Sequence, residues 1–392
     1  MKSSLLKRAL PGLVAVAGLA FASVGCTSPS PDIYVPGTGG TAPGTVLKKS
    51  PTSLAGSADY TAVALQYRSR NALNQPNVVT GSVYVPKAAW TGTGPRPIVS
   101  LAQGTQGLGD GCAPSKSLAS GVNYELPFIQ ALLARGWAVA VTDYEGLGTP
   151  SQHTYIVADA EAHAQLDVVR AALKLPELGL SADAPVGLTG YSQGGQSAAR
   201  SAEIEGTYAP ELNVVGAVAG GVPSNPEQLG TTLNGGPFFA FLALAAVGLD
   251  AAYPELDLET YLNDTGRTLL ENNQQACVAD GLINLGFQSI ENLTTTNPLT
   301  TPAWQARLDE NQLGQDAPQI PVMMYHQLLD EIIPYNQGAE LRDAWCAAGT
   351  KVQWFDLFTG EHALGILQGQ DGTLTFLNAR FTGAPVTPTC NA

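Results

Sequence analysis

The stretch Val186-Gly-Leu-Thr-Gly-Tyr-Ser-Gln-Gly-Gly-Gln196 reads as a buried strand, a tight turn and the first residues of a helix. Before it, Ala184 to Thr189 is a short apolar run bounded by Asp183 and Pro185, as a central parallel strand would be. After it, Gln196 to Glu205 is rich in helix formers and stops at Gly206. A turn this sharp holds Ser192 in a strained conformation and pushes its hydroxyl into the open. Gly190 and Gly194 are then required, because a Cβ at either place would collide with neighbouring backbone. The G-x-S-x-G pattern alone is weak in a chain with 43 glycines, so its surroundings must decide.

Those surroundings alternate. Residues from Tyr60 to Val85 repeat apolar and polar positions in the β manner and read as an antiparallel hairpin at a sheet edge. From Pro97 the rhythm becomes strand, loop, helix: Pro97 to Ala102, Leu126 to Ala134, Gly136 to Thr142, Asp159 to Leu173, the Ser192 strand, then Val214 to Ala219. Buried strands separated by helices predict an α/β fold with a doubly wound, mostly parallel sheet. The alternation stops near Val222 and resumes near Ile320. The chain therefore divides into a core segment over 51–221, an inserted helical cap over 222–318 and a second core segment over 319–392. Within the insertion, Phe238 to Leu249 is apolar around most of its circumference, so it is either buried or facing an apolar ligand.

A serine nucleophile needs a base, and the chain has four histidines. In a sheet of this kind the order is serine, then an acid after a late strand, then histidine after the last one. His153 and His163 precede Ser192, which leaves His326 and His362. Ile320 to His326 reads as a strand, so His326 is expected to pack. The loop after it carries Asp330, a helix from Asn336 to Ala348 follows, and the strand Lys351 to Phe358 leads into a loop with His362. Parallel strands present their C-terminal ends together, so Asp330 and His362 should reach the edge that carries Ser192. Glu331 and Asp356 are alternative acids. In that scheme His362 takes the Ser192 proton, Asp330 fixes the imidazole, and an acyl-enzyme forms and is hydrolysed. The oxyanion would be met by the N–H of Gln193 and by a second donor from the loop Gln103-Gly-Thr-Gln-Gly107, with Thr105 or Gln106 favoured. The turn Asp143-Tyr-Glu-Gly-Leu-Gly148 ends another strand at the same edge and is expected to shape the pocket floor.

The N-terminal residues 1–25 read as a secretory signal: Lys2, Lys7 and Arg8 precede an apolar, small-residue run. Ala20-Phe-Ala22 fits an ordinary processing site, whereas Ser23-Val-Gly-Cys26 resembles a lipobox that would place a lipid on Cys26. Five cysteines in an exported chain leave one unpaired, and a lipidated Cys26 leaves four for two bridges, which favours the second reading. Residues 26–50, rich in Ser, Thr, Pro and Gly, read as a tether from a membrane surface. A net charge of −14 with only 19 Lys and Arg argues against a nucleic-acid partner. There is no H-E-x-x-H, no paired C-x-x-C and no G-x-x-x-x-G-K, so metal and nucleotide chemistry find no motif.

Taken in order, Cys112-Ala-Pro-Ser115, Asp143-Tyr-Glu-Gly146, Gly190-Tyr-Ser-Gln-Gly194, Asp330-Glu-Ile-Ile-Pro334 and Glu361-His-Ala-Leu-Gly365 resemble the secretory lipase family of the α/β-hydrolase superfamily. The resemblance spans roughly Ser50 to the C-terminus. It implies hydrolysis of carboxylic esters of lipids without a cofactor, with nucleophile, acid and base at Ser192, Asp330 and His362. It also implies the bridges Cys112–Cys277 and Cys346–Cys390. Two departures stand out: the cap has its own sequence, and Gln327 occupies a place where the family usually has glycine. The leading alternatives are acyl transfer to an alcohol through the same three residues, and a non-catalytic surface lipid-binding protein on a hydrolase scaffold.

Overall fold

A computed structural model describes residues 40–390 of the 392-residue chain. The signal sequence, both processing sites and Cys26 lie outside the described residues.

Nine strands form one mixed sheet: β1 (Val46–Pro51), β2 (Tyr60–Arg70), β3 (Pro76–Pro86), β4 (Ile98–Ala102), β5 (Ala138–Thr142), β6 (Val186–Tyr191), β7 (Val214–Gly220), β8 (Val322–Gln327) and β9 (Val352–Leu357). Their order across the sheet is β1-β2-β3-β5-β4-β6-β7-β8-β9. β1, β2 and β3 pair antiparallel, β3 joins β5 antiparallel, and the six strands from β5 to β9 run parallel. The helices between and beyond them are α1 (Pro114–Ser120), α2 (Leu126–Ala134), α3 (Ala158–Leu173), α4 (Gln193–Tyr208), α5 (Pro226–Leu233), α6 (Phe239–Ala252), α7 (Asp264–Asn273), α8 (Val278–Leu285), α9 (Ile290–Leu293), α10 (Pro302–Glu310), α11 (Tyr335–Ala347), α12 (His362–Gln368) and α13 (Gln370–Phe381).

Strand side chains alternate between faces, and both faces here are covered. Ile98, Ala140, Leu188, Ala219 and Met324 point into a core shared with α3, α4 and α11. Their neighbours Val99, Val141, Val218 and Met323 point the other way, onto α2 and α13. This double burial is why the central strands read as unbroken apolar runs rather than alternating ones. Helices α5 to α10 all lie between β7 and β8, where the strand-helix rhythm of the sequence breaks off. They carry their own apolar cores, joined to the rest through Leu108, Tyr155, Ile156, Ile332 and Ile333 on one side and Val157 and Ala160 on the other.

Three local readings of the sequence need correction. Val46 to Ser50, assigned by composition to the tether, belongs to edge strand β1; its Lys48, Lys49 and Ser50 are partly exposed, so the apolar signal of a strand is missing. Gly206 does not end the helix after Ser192, which runs on to Tyr208, whose ring stacks on His163 and whose hydroxyl donates to Asp167 of α3. His362 begins helix α12 instead of lying in a loop.

Two disulfides are formed, Cys112–Cys277 and Cys346–Cys390. The first ties the chain just after β4 to α8 of the insertion. The second ties α11 to the C-terminal segment beside edge strand β9, where Thr389 N–H bonds the Val352 oxygen.

Candidate active site

At the end of β6 the chain has nowhere to go but into α4, and it turns within one residue. Ser192 has φ 60° and ψ −121°, a conformation costing an L-residue on the order of 1–3 kcal/mol. The close approach that imposes it is visible in the flanking glycines. A Cβ on Gly190 would lie 2.0 Å from the Gly194 oxygen, and one on Gly194 would lie 2.0 Å from the Ala102 oxygen. The Ser192 N–H is held by the Gly220 oxygen of the neighbouring strand at 2.9 Å.

Three of the side chains singled out in the sequence come together here. His362 Nε2 is 2.9 Å from Ser192 Oγ, and His362 Nδ1 is 2.7 Å from Asp330 Oδ2. Since a carboxylate can only accept, Nδ1 carries the ring hydrogen and Nε2 is free to accept from the serine hydroxyl. Asp330 Oδ1 takes the N–H groups of Ile332 and Ile333 at 3.1 and 2.7 Å. Burial works against ionisation of this carboxyl, but the charge of His362 and the hydrogen bonds from His326 and His362 outweigh it and hold the group well below the usual carboxylate range. Asp330 thus remains an anion near neutrality.

His362 is itself braced. Its N–H donates to Glu331 Oε2 at 2.9 Å, and its oxygen accepts from the Tyr191 hydroxyl at 2.6 Å. A Cβ at Gly365 would lie 2.1 Å from that hydroxyl, so glycine there lets α12 settle on Tyr191. The alternative acids are engaged elsewhere: Glu331 meets the main chain of His362, and Asp356 accepts from Tyr335 and Trp354. His163 stacks on Tyr208, and His153 bonds the Glu145 oxygen at 2.7 Å.

The loop Gln103 to Gly107 abuts the elbow: the Cβ position of Gly194 is 2.9 Å from the Gln103 carbonyl carbon, and that of Gly104 is 3.3 Å from the Tyr191 oxygen. Its main chain is held on several sides. Gly104 N–H donates to Glu125 at 2.7 Å, the Gln103 oxygen accepts from Tyr144 at 2.6 Å, the Thr105 oxygen accepts from Tyr124 at 3.1 Å, and the Gln106 oxygen accepts from Val278 N–H at 2.8 Å. Thr105 spends its hydroxyl on Tyr155, and Gln106 turns its amide back onto the Gly104 oxygen.

Two buried acids in this region escaped the sequence reading. Glu125 holds the loop, and Glu161 on α3 accepts from the Gln193 side chain at 2.7 Å. Burial pushes each up to about 8, opposed by the hydrogen bonds they accept. A signal existed for Glu161, which lies one turn before Gln165 on the inward face of α3, where a charged residue is out of place.

The turn Asp143 to Gly148 does not form the pocket floor. It is buried behind the Gln103 loop, with Asp143 bonded to Ser115 and Tyr144 to Gln103. What opens above Ser192 is an apolar pocket, whose lining includes Tyr155, Phe241, Leu242, Ala245, Leu249 and Ile332. Helix α6 thus does both things its composition allowed: Phe239, Ala240 and Leu244 are buried, and another face looks into the cavity.

The family model described as secretory lipase matches residues 113–389. Among similar chains, a probable inactive lipase of Mycobacterium tuberculosis is 33% identical, the match covering 88% of this chain and 80% of the relative. A secreted triacylglycerol lipase of Malassezia furfur is 32% identical, covering 91% of this chain and 80% of the relative. Among solved structures, Candida antarctica lipase A in its closed state superposes with a TM-score of 0.81 at 27% identity, over 90% of this chain and 85% of that one.

Proposed function

We propose that this chain, which belongs to the secretory lipase family, is an exported serine hydrolase that cleaves carboxylic esters of lipids. The observation that carries this reading is that Ser192, 2.9 Å from a histidine nitrogen free to accept its proton, opens onto an apolar cavity. Ser192 Oγ attacks the ester carbonyl as its proton passes to His362 Nε2. The ionised Asp330 stabilises the resulting imidazolium, which then protonates the leaving alcohol. The acyl-enzyme is opened by a water that gives its proton to the same nitrogen, and that proton passes to Ser192 Oγ as the acid departs. The tetrahedral oxyanion of both steps is assigned to the N–H of Gln193 and to a donor of the Gln103–Gly107 loop, Thr105 or Gln106. The acyl chain lies in the cavity, whose walls supply area and no hydrogen bonds.

Export is supported by the signal-like N-terminus and by relatives named as secreted lipases. Lipidation of Cys26 belongs to the same proposal; a diacylglyceryl mass on the mature N-terminus would support it, and an N-terminus at Ser23 would refute it.

A second reading, a non-catalytic lipid-binding protein, is favoured by the relative named a probable inactive lipase. The two readings part on one experiment. With p-nitrophenyl esters from acetate to palmitate, the hydrolase turns over and Ser192→Ala does not. No turnover by the parent protein, or equal turnover by the variant, would overturn the mechanism.

A further inference from the structure

Asp330 has a second histidine beside it. His326, at the end of β8, is buried, and its Nε2 lies 2.9 Å from the Ile333 oxygen and 3.4 Å from Asp330 Oδ2. Both neighbours are acceptors, so Nε2 carries a hydrogen and leans toward each. Asp330 Oδ2 therefore has His362 on one side and His326 on the other, while Oδ1 takes the N–H groups of Ile332 and Ile333. Ile333 closes the arrangement: its N–H donates to Asp330 and its oxygen accepts from His326.

The other side of the imidazole has been cleared for it. A Cβ at Gly338 would lie 2.4 Å from His326 Nδ1, closer than non-bonded atoms approach. Gly338 sits inside α11, where glycine is otherwise a poor choice. Tyr335 meets the ring edge-on, with centroids 5.9 Å apart. A ring that served only to fill space would be replaced at no loss by an apolar side chain, because a buried polar group is costly unless it is bonded. The Nε2 hydrogen of this one goes to the turn that carries Asp330, while its Nδ1 has no hydrogen-bond partner among the described residues.

We infer that His326 is a positioning residue, holding the Gln327–Pro334 turn and the Asp330 carboxylate in the orientation in which Oδ2 meets His362 Nδ1. The inference rests on the roles proposed above for Ser192, Asp330 and His362. Its consequence falls on the chemical step. An imidazolium exists at His362 only during reaction, so a misaligned Asp330 weakens the transition state and leaves substrate binding alone.

The test is a KM-against-kcat split on the full chain, with active sites counted by complete fluorophosphonate labelling of Ser192. His326→Leu should lower kcat per labelled site by about 10- to 100-fold, the size of a lost hydrogen bond to a charged group, with KM within about twofold. His326→Gln, whose Nε2 reaches the place of the ring nitrogen, should recover most of that loss. Gly338→Ala keeps the histidine but displaces it, and should lower kcat although it improves helix propensity. An unchanged kcat in His326→Leu, equal losses in the Leu and Gln variants, or a loss confined to the number of labelled sites would overturn the inference. If Ser192→Ala still turns over, the reading of the site fails first; if it is inactive while His326→Leu is unimpaired, only the present inference fails.

Discussion

The side chain of Gln193 donates to Glu161 Oε1 at 2.7 Å, so the residue that follows Ser192 is fastened to the interior of α3. Its amide also faces His153 Nε2 at 3.1 Å, and His153 Nδ1 in turn faces the Glu145 oxygen at 2.7 Å. Nδ1 therefore bears the hydrogen, and Nε2 accepts from Gln193. Burial pushes His153 down to about 4, which keeps the ring neutral and this pattern intact. An oxyanion donor is useful only if it is already in place. Glu161→Leu should release Gln193 and lower kcat about tenfold, in line with one lost buried hydrogen bond, while Glu161→Gln, which can still accept, should stay within about threefold of the parent. Steady-state kinetics on a soluble ester decide it, and equal kcat values for the two variants would count against the role.

The same buried acids set a pH dependence of stability. Glu125 and Glu161 are each pushed up to about 8 by burial, from an ordinary value of 4.5. The folded state therefore holds protons that the unfolded state releases, and stability present below about pH 4.5 is lost as pH rises toward 8, by several kcal/mol in sum. Asp330 acts with the opposite sign: its pKa is held low, so its contribution is present above the ordinary carboxylate range and lost in acid. Urea midpoints should fall between about pH 6.5 and pH 8, above the interval in which the buried neutral His153 offsets the two acids, and flatten in the double variant Glu125→Gln, Glu161→Gln. A midpoint that rises over this interval would contradict the assignment.

Much of this was legible in the chain before any coordinates. The parallel strands show themselves because burial on both faces leaves no polar positions, and Ser192, Asp330 and His362 fall into line because a doubly wound sheet fixes the order in which its C-terminal ends appear. What stayed hidden depends on contacts between distant segments. β1 is polar because it is an edge. His326 looked like packing because only the folded-back turn brings Asp330 and Ile333 to its nitrogen. Glu125 means nothing until Gly104 is placed against it. The insertion announced its helices but not the cavity, since an apolar helix surface looks the same against protein and against an acyl chain.

The two disulfides should differ in what they protect. The Cys112–Cys277 bridge closes 165 residues and the Cys346–Cys390 bridge 44, so in the chain-entropy account removing the first costs about 1 kcal/mol more. It also sits where the Gln103 loop meets the insertion: Leu108 N–H bonds the Ala276 oxygen at 3.1 Å and Val278 N–H the Gln106 oxygen at 2.8 Å. Serine replacement at Cys112 and Cys277 should lower both the unfolding temperature and kcat. Replacement at Cys346 and Cys390 should lower the unfolding temperature alone, because that bridge braces α11 and the C-terminal segment. Calorimetry and kinetics on both pairs test this, and equal effects on kcat would refute the distinction.

Chain-length preference should be set from helix α6. Phe241, Leu242, Ala245 and Leu249 line the cavity that opens on Ser192, and an acyl chain laid along them gains about 0.8 kcal/mol per buried methylene. That is about fourfold in kcat/KM for each methylene until the cavity ends. Ala245 is only partly buried, so a larger side chain there can enter the cavity without displacing packed core. Ala245→Trp should leave acetate and butyrate esters within about twofold and remove the rise in kcat/KM at longer chains, shifting the optimum toward short esters. Because attack by Ser192 is common to every ester, a uniform loss across the series would mean that the substitution had disturbed the reacting groups, and an unchanged series would mean that the acyl chain lies elsewhere. A loss that grows with each added methylene is the signature of this wall.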